Sequence, residues 1–557
     1  MSSPSSLPLH SAAAAAAAKP ATTTTGAVAA DRVSSLSFPS TVWADGFLDK
    51  VDLSHQAKQK DQKYEVLKED VRKMVISEAK TSYGDDDAVI ADKLRLIDAV
   101  QRLGVGHHFK TEIEEALGKV HDVGEDLFTD FDGKGTNLYC AALRFRLLRQ
   151  QGFSVSQDGF SKLKNSERRF KEWLVTDEKG LLSLYEAAHI AFNGEDILDE
   201  ALSFARNNLK SILPTHKKIN PSFRKQIDFA LRVPAWKCDQ RSLARHSIDN
   251  LSYEDSAQNQ KLLTFAKFDF NVTQNFHQHE LLELSEWWRN IDVKTNFPYV
   301  RDRLVECYYC INAIYFEPKY RLGRIIATKV WMTLAIIDDT YDNFATYEEV
   351  RVLTEAIQRM DVRALQELPD NMKKVYRAIL NLFDEIEKEI GRARPTFSVE
   401  YAKEELKRLS QAYLVEVRWR DEGSVPTLKE YMTNRITSSG MSILSTAAFV
   451  GLGPEIATKE GFEWAASSEC KMMKAGGVIG GLQNDIFSHK QLEQKRDHAA
   501  SAVECFMKEH MASEEEAVEF LTKEVSCGWK DMTEEYCRKK QTTFPIAFAD
   551  VMLNVAR

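Results

Sequence analysis

A chain of 557 residues is long for a single hydrophobic core and reads as two or more domains. Its composition, 43% hydrophobic and 28% charged with 25 Gly and 14 Pro, is that of an ordinary globular protein, and a net charge of -9 argues against nucleic acid or a polybasic membrane partner. Eight cysteines make no disulfide framework at this length, and no run approaches the roughly 18 apolar residues of a membrane span.

Residues 1–31 are of low complexity, with alanine from 12 to 18, threonine from 22 to 25 and no acid before Asp31. Such a segment is expected to be a disordered leader. A plastid transit peptide is also Ser-rich and acid-poor, but no arginine precedes Arg32, so a cytoplasmic protein is the expectation. From about residue 57, apolar residues recur at three- and four-residue spacing, over 64–75, 94–103, 138–148 and 181–190. Gly133, Gly135, Gly152, Pro214 and Pro221 punctuate these predicted helices. The same texture runs through 262–390 and 427–525, without strand alternation or a solenoid period. The fold class is therefore all-α, with a candidate junction in the polar stretch 240–258 and domains over 32–245 and 246–557. Cys307 and Cys310 form a CxxC, but no second pair follows, so two thiols on a packed helix are expected.

Arg301-Asp302-Arg303 opens the second half, and two guanidiniums at a loop or helix start can both reach one diphosphate. Next comes Ile336-Ile337-Asp338-Asp339-Thr340-Tyr341-Asp342. At about 100° per residue Asp338 and Asp342 share a helix face and Asp339 flanks them. The apolar run before them implies burial, where clustered carboxylates protonate unless a cation neutralises them. Magnesium, a hard cation that seeks oxygen, fits; the plain alternative is an exposed helix end carrying three acids. Asn484-Asp485-Ile486-Phe487-Ser488, followed by Glu493, offers amide and hydroxyl oxygens one turn apart to a second metal position.

In this order these strings, with Tyr315-Phe316-Glu317-Pro318, resemble plant class I terpene synthases, particularly the sesquiterpene branch. Gln101-Arg102-Leu103-Gly104, Leu147-Leu148-Arg149-Gln150-Gln151-Gly152-Phe153 and Ala266-Lys267-Phe268-Asp269-Phe270-Asn271 extend the resemblance over about 38–557. It implies two helical domains, an N-terminal relic of a class II-like α-barrel and a C-terminal class I bundle. It implies three magnesium ions, with manganese as the alternative metal, held by Asp338, Asp339, Asp342, Asn484, Ser488 and Glu493. The substrate diphosphate would meet Arg301, Arg303 and Lys490 besides Asp338, Asp342 and Asn484. Cys310, Thr437, Ser438 and Gly440 would line the pocket, Arg32 and Trp43 would belong to an N-terminal cap, and the enzyme would be a monomer. Its metals stabilise the leaving diphosphate, and apolar walls then shield an allyl cation. Only Arg32 precedes Trp43, without the tandem arginine of monoterpene synthases, so farnesyl diphosphate is the expected prenyl diphosphate. A protonation-initiated class II reaction needs DxDD, which Asp85-Asp86-Asp87-Ala88 fails; a prenyltransferase would carry a second aspartate-rich motif.

Four departures from the family pattern set further expectations. Its glutamate eight residues after the asparagine is Leu492 here, with Glu493 next, so a π-bulge between Ser488 and Glu493 is expected. Its arginine one turn before the asparagine is Gly481, closing a run of Gly476, Gly477 and Gly480 that predicts a loose segment. Its pocket tryptophan is Cys310. The family continues some tens of residues beyond the position of Arg557, so a missing lid, open apolar surface and alcohol products are expected. The two readings are thus a sesquiterpene synthase, reduced in activity, and an inactive homologue.

Overall fold

The computed structural model describes residues 43, 62–77, 87–122, 138–215, 220–250, 257–391, 397–491, 500–540, 542 and 544–557. The leader, Arg32, Leu492 and Glu493 lie outside the described residues, as does the side chain of Lys490. Within them the chain is helical, and the single extended pairing is the bridge between Lys164 and Phe170.

The first half comprises α1 (Gln62–Ser77), α2 (Asp87–Arg102), α3 (Lys110–Asp122), α4 (Leu138–Gln150), α5 (Glu178–Ala188), α6 (Asp196–Thr215), α7 (Pro221–Arg232) and α8 (Gln240–Asn250). The second begins with α9 (Ala257–Ile291), α10 (Leu304–Ile314) and α11 (Arg321–Asp339), then a π-helical turn (Thr340–Phe344). It continues through α12 (Tyr347–Arg359), α13 (Asp370–Ile390), α14 (Phe397–Asp421), α15 (Leu428–Ser438), α16 (Met441–Val450) and α17 (Lys459–Ala466). The last four are α18 (Lys471–Gln491), α19 (Ala502–His510), α20 (Glu514–Lys540) and α21 (Ile546–Ala556). No described helix is long and apolar enough to cross a membrane.

Local sequence explains the helices. In α13 the buried residues Met372, Val375, Tyr376, Ile379, Leu382, Phe383, Ile386 and Ile390 keep the spacing of one helix face, and Gly391, at φ 63°, ends it. Thr346 with Glu349, Thr427 with Glu430 and Ser501 with Glu504 form capping boxes that start α12, α15 and α19. By contrast α11 is buried nearly all round, so it runs through the interior of the second half.

There are two hydrophobic cores, and α9 belongs to both: Leu262, Phe265 and Ala266 enter the first, Leu281, Leu284 and Trp288 the second. One rigid rod of 35 residues thus ties the halves together, downstream of the polar stretch where the sequence suggested a junction. The N-terminal strings of the resemblance are packing devices. Arg149 is buried between Phe145 and Phe192, pairs with Glu195 and donates to the carbonyls of Val155 and Ile190. Gly152, at φ 91°, lets α20 approach, since a Cβ there would lie 2.4 Å from that of Lys540. Trp236 donates to Thr533 across the same seam at 3.0 Å. α21 is buried through Phe548, Val551, Met552 and Leu553, and the exposed large apolar side chains fall singly on separate segments.

Candidate active site

The aspartate cluster sits where α11 gives way to the π-turn. The Ala345 amide reaches back five residues to the Thr340 carbonyl, so the helix widens at the motif. Tyr299 holds the turn through Thr340 and by stacking on Phe344, and the Arg420 guanidinium donates to the carbonyls of Tyr341 and Asp342. A π-bulge was expected between Ser488 and Glu493; α18 is regular α-helix through Gln491, and the remainder of that span lies outside the described residues. Single π-turns inserted in helices frequently mark functional sites.

The three acids divide into two kinds. Asp339 is fully buried and accepts the Arg301 amide at 2.9 Å and its guanidinium at 3.1 Å, with the Asn343 amide nearby. It was grouped with the metal ligands on sequence; the structure turns it into the protein, where it fixes the loop that carries Arg301. Burial raises the Asp339 carboxyl to about 6, Arg301 opposing and Asp338 adding. Asp338 is half-buried and meets the same guanidinium at 2.8 Å. Asp342 keeps a solvent-accessible edge, but protein crowds its other sides. Burial pushes its carboxyl well above the usual range, Asp338 and Glu416 push further, and Arg420 and Arg301 oppose. Burial alone would lower the Arg301 guanidinium, yet Asp339 and Asp338 outweigh it, so Arg301 stays charged. Arg303 is the residue preceding α10, and its guanidinium donates to the Asp302 carbonyl.

Glu416 is the residue that sequence reasoning missed. It lies on α14 and feels the charges of both Asp485 and Asp338. Burial lifts it to about 7, against the pull of Arg435 and a hydrogen bond from Ser438. Asn434 also donates to it, at 3.3 Å. Burial and the charges of Asp338, Asp342 and Glu416 push the hydroxyl of Tyr413, one turn earlier, well above its usual range. The only sequence signal was weak, an acid at half-buried position 416 in a helix whose buried positions are mostly apolar.

The second motif lies on α18. Asp485 is buried and consumed by partners: Tyr431 donates at 2.8 Å, Arg435 at 3.1 and 2.9 Å, and the Ala502 amide at 3.3 Å. Asn484 is half-buried, and Ser488 is buried with its hydroxyl 3.4 Å from the Asp485 carbonyl. The glycines before it are not a loose segment. A Cβ on Gly477 would lie 2.6 Å from the Ile436 carbonyl oxygen, on Gly480 2.9 Å from the Met441 sulfur, and on Gly481 3.0 Å from Arg435 Cγ. They let α15 and α16 press against α18.

The other expected residues are more dispersed. α15 ends at Ser438 and α16 starts at Met441, with Gly440 between them at φ 74°, so Thr437 and Ser438 close α15 and the break is Ser439 and Gly440. Ser438 points to Glu416, placing this break beside the acids. Cys310 is half-buried; burial lifts its thiol to about 12, with Asp239 and Glu306 adding. Cys307 and Cys310 are free thiols on one helix. Trp43 is described, half-buried, but without its neighbours. Among the described residues, one His/Asp cluster has metal-like spacing, His107, His108 and Asp269, in the first half. Its carboxylate already accepts from Tyr64 at 2.7 Å and lies 2.7 Å from His108, which accounts for the grouping as a hydrogen-bond network.

Comparison with known proteins adds to this geometry. The family model described as "Terpene synthase family, metal binding domain" matches residues 289–531, and "Terpene synthase, N-terminal domain" matches 42–231. A (-)-germacrene D synthase of Vitis vinifera is 42% identical over 522 residues, which are 94% of this chain and 90% of the relative. Sesquiterpene synthase 2 of Toona sinensis is 41% identical over 530 residues, 94% of this chain and 90% of the relative. Among solved structures, isoprene synthase from grey poplar (Populus x canescens), in complex with three Mg2+ ions and dimethylallyl-S-thiolodiphosphate, superposes with a TM-score of 0.81. That pair is 33% identical and covers 91% of this chain and 93% of the other.

Proposed function

The chain belongs to the terpene synthase family, and from that premise we propose that it ionises farnesyl diphosphate with magnesium to give sesquiterpene olefins or alcohols and diphosphate. One observation carries the reading. Asp338 on α11, Asp342 on the π-turn and Glu416 on α14 converge, and burial holds the last two above their ordinary ionisation range. Such acids destabilise a protein unless a cation answers them.

The donor set fits magnesium: three carboxylates on one side, the Asn484 amide and the Ser488 hydroxyl on α18, all hard oxygens and no sulfur. The poplar isoprene synthase complex supports the same metal for this family member. When bound, the ions would act as Lewis acids and take up the charge of the departing diphosphate. The protein's own part is orientation and charge. Asp339 fixes the Arg301 loop, so that guanidinium stands beside Asp338, where a phosphate oxygen would compete for it. Arg420 holds the π-turn, which sets Asp342 toward Glu416. Tyr413 and the Ser438 hydroxyl orient the acids that face them.

The test is incubation of the purified protein with farnesyl or geranyl diphosphate and magnesium, followed by analysis of volatiles and released diphosphate. Sesquiterpene products from farnesyl diphosphate are expected, lost in chelator. Turnover of geranyl diphosphate alone would reassign the substrate. No turnover, with no magnesium-dependent diphosphate binding, would leave an inactive homologue. Chain elongation on adding isopentenyl diphosphate would favour a prenyltransferase.

A further inference from the structure

Arg435 stands out because a half-buried guanidinium has been brought to the second motif from a different helix. It leaves α15, crosses the bare backbone of Gly481 and reaches Asp485 by Nε at 3.1 Å and a terminal nitrogen at 2.9 Å. The same nitrogen lies 3.4 Å from the Gly481 carbonyl. A side chain at 481 would occupy this path, since its Cβ would lie 3.0 Å from Arg435 Cγ and 3.4 Å from Nε. On a regular helix Gly481 points within roughly 20° of Ser488, so the guanidinium lies along the face that carries Ser488. It also faces Glu416, whose carboxyl it pulls down.

We propose that Arg435, seated on Gly481, is the positioning residue of the second motif. By pinning Asp485 it fixes the rotation of α18, and so the direction in which Asn484 and Ser488 offer their oxygens to a metal-bound diphosphate. Three partners around one carboxylate leave α18 little freedom to turn: Arg435 from α15, Tyr431 from the same helix and the Ala502 amide from α19. Arg435 is the charged member of the three, and charge-assisted bonds are the stronger kind. The proposal rests on the function given above, in which the second motif belongs to the diphosphate site.

The experiment compares the full-length protein with Arg435→Ala, Arg435→Lys, Gly481→Ala and the double variant Arg435→Ala/Gly481→Ala. The primary readout is calorimetric binding of inorganic diphosphate in the presence of magnesium, which needs no turnover. The kcat and the KM for magnesium with farnesyl diphosphate accompany it, and metal-free melting checks the fold. Removing an outer partner of a metal ligand typically weakens binding or activity roughly 10- to 100-fold, and that range is expected for Arg435→Ala, with the KM for magnesium raised. Arg435→Lys should recover part of the loss. Gly481→Ala should fall between the two, and the double variant should be no worse than Arg435→Ala alone, because the methyl then has no arginine to displace. Should Arg435→Ala not fold, Gly481→Ala still decides, since it keeps the cation and only moves it. Unchanged diphosphate binding and magnesium KM in folded variants, or additive losses in the double variant, would overturn the role of Arg435 while leaving the function intact. A wild-type protein that neither binds diphosphate nor turns over would remove both.

Discussion

The two motifs share a plan but differ in charge. In each, the second residue is a buried aspartate bonded to an arginine from another element, Asp339 to Arg301 and Asp485 to Arg435. Those pairs are internal, and they orient the residues beside them. What the neighbours offer is different. Asp338 stands with Asp342 and Glu416 in an acidic group, and the nearby cations do not hold the last two in the ordinary range. Asn484 and Ser488 are neutral, so the second motif can be packed tightly on its glycines without electrostatic cost. The first motif is therefore strained by charge and the second is not.

The largest expected effect breaks that asymmetry at its source. Asp338→Ala or Asp342→Ala should lower turnover by roughly a thousandfold or more, the scale seen when electrostatic stabilisation of a transition state is removed. Asp342→Asn should at the same time raise the metal-free melting temperature, since it deletes an acid in conflict with Asp338 and Glu416. Asp339→Asn should behave oppositely. It leaves the buried Arg301 short of its partner, a change that typically costs ~3–5 kcal/mol of stability. Asp485→Ala belongs with Asp339, acting on stability first and on turnover less than Asp338→Ala. Equal melting shifts for Asp342→Asn and Asp339→Asn would erase the distinction between orienting and metal-facing acids.

A smaller effect is read through pH. Glu416, raised to about 7 when folded, binds a proton that the unfolded chain has already released. Its contribution is favourable below its ordinary value and is lost as pH rises through about 7, by at most roughly 3 kcal/mol. Buried histidines run the other way: His107 and His277, lowered to about 3, and His246, to about 4, make stability rise toward neutral pH. The wild-type curve alone therefore mixes the two. The difference between wild type and Glu416→Gln isolates the acid: the variant's melting advantage should grow from pH 5 to pH 8 and shrink when magnesium and diphosphate are added. A pH-independent difference would show that Glu416 ionises normally.

Much of this was legible in the sequence, and the limits have physical causes. The helices were visible because burial of one face imposes a 3.6-residue period, as in α13. The aspartate cluster was visible because polar groups at the end of an apolar run demand an explanation, and Arg301 because two arginines two residues apart suit a diphosphate. Glu416 was not, since one acid in a helix of ordinary composition has no local signature; only the packing of α14 against the π-turn and α15 gives it meaning. The pairing of Asp339 was hidden for a related reason: spacing gives the direction of a side chain on its own helix, not whether an arginine from a distant loop occupies that side. The glycines of α18 read as weakness because helix propensity counts only the chain itself, whereas their value lies in the backbone of Ile436 and the side chain of Arg435 lying against them.

Two glycine variants give the smallest effects and test that last point. Gly477→Ala places a methyl 2.6 Å from the Ile436 carbonyl oxygen, which belongs to backbone and cannot swing aside. Overpacking of this kind typically costs ~1–3 kcal/mol, and the loss should appear in melting and in diphosphate binding together, because α15 must move off α18. Gly440→Ala meets no atom within 4 Å, so sterics contribute nothing. What remains is the backbone at φ 74°, a left-handed conformation that costs a non-glycine residue about 1 kcal/mol. The break between α15 and α16 should survive with slightly lower stability and near-normal diphosphate affinity. If Gly440→Ala instead abolished binding while Gly477→Ala did not, the site would depend on the freedom of the break to move, and close approach of α15 to α18 would not be what holds the second motif in place.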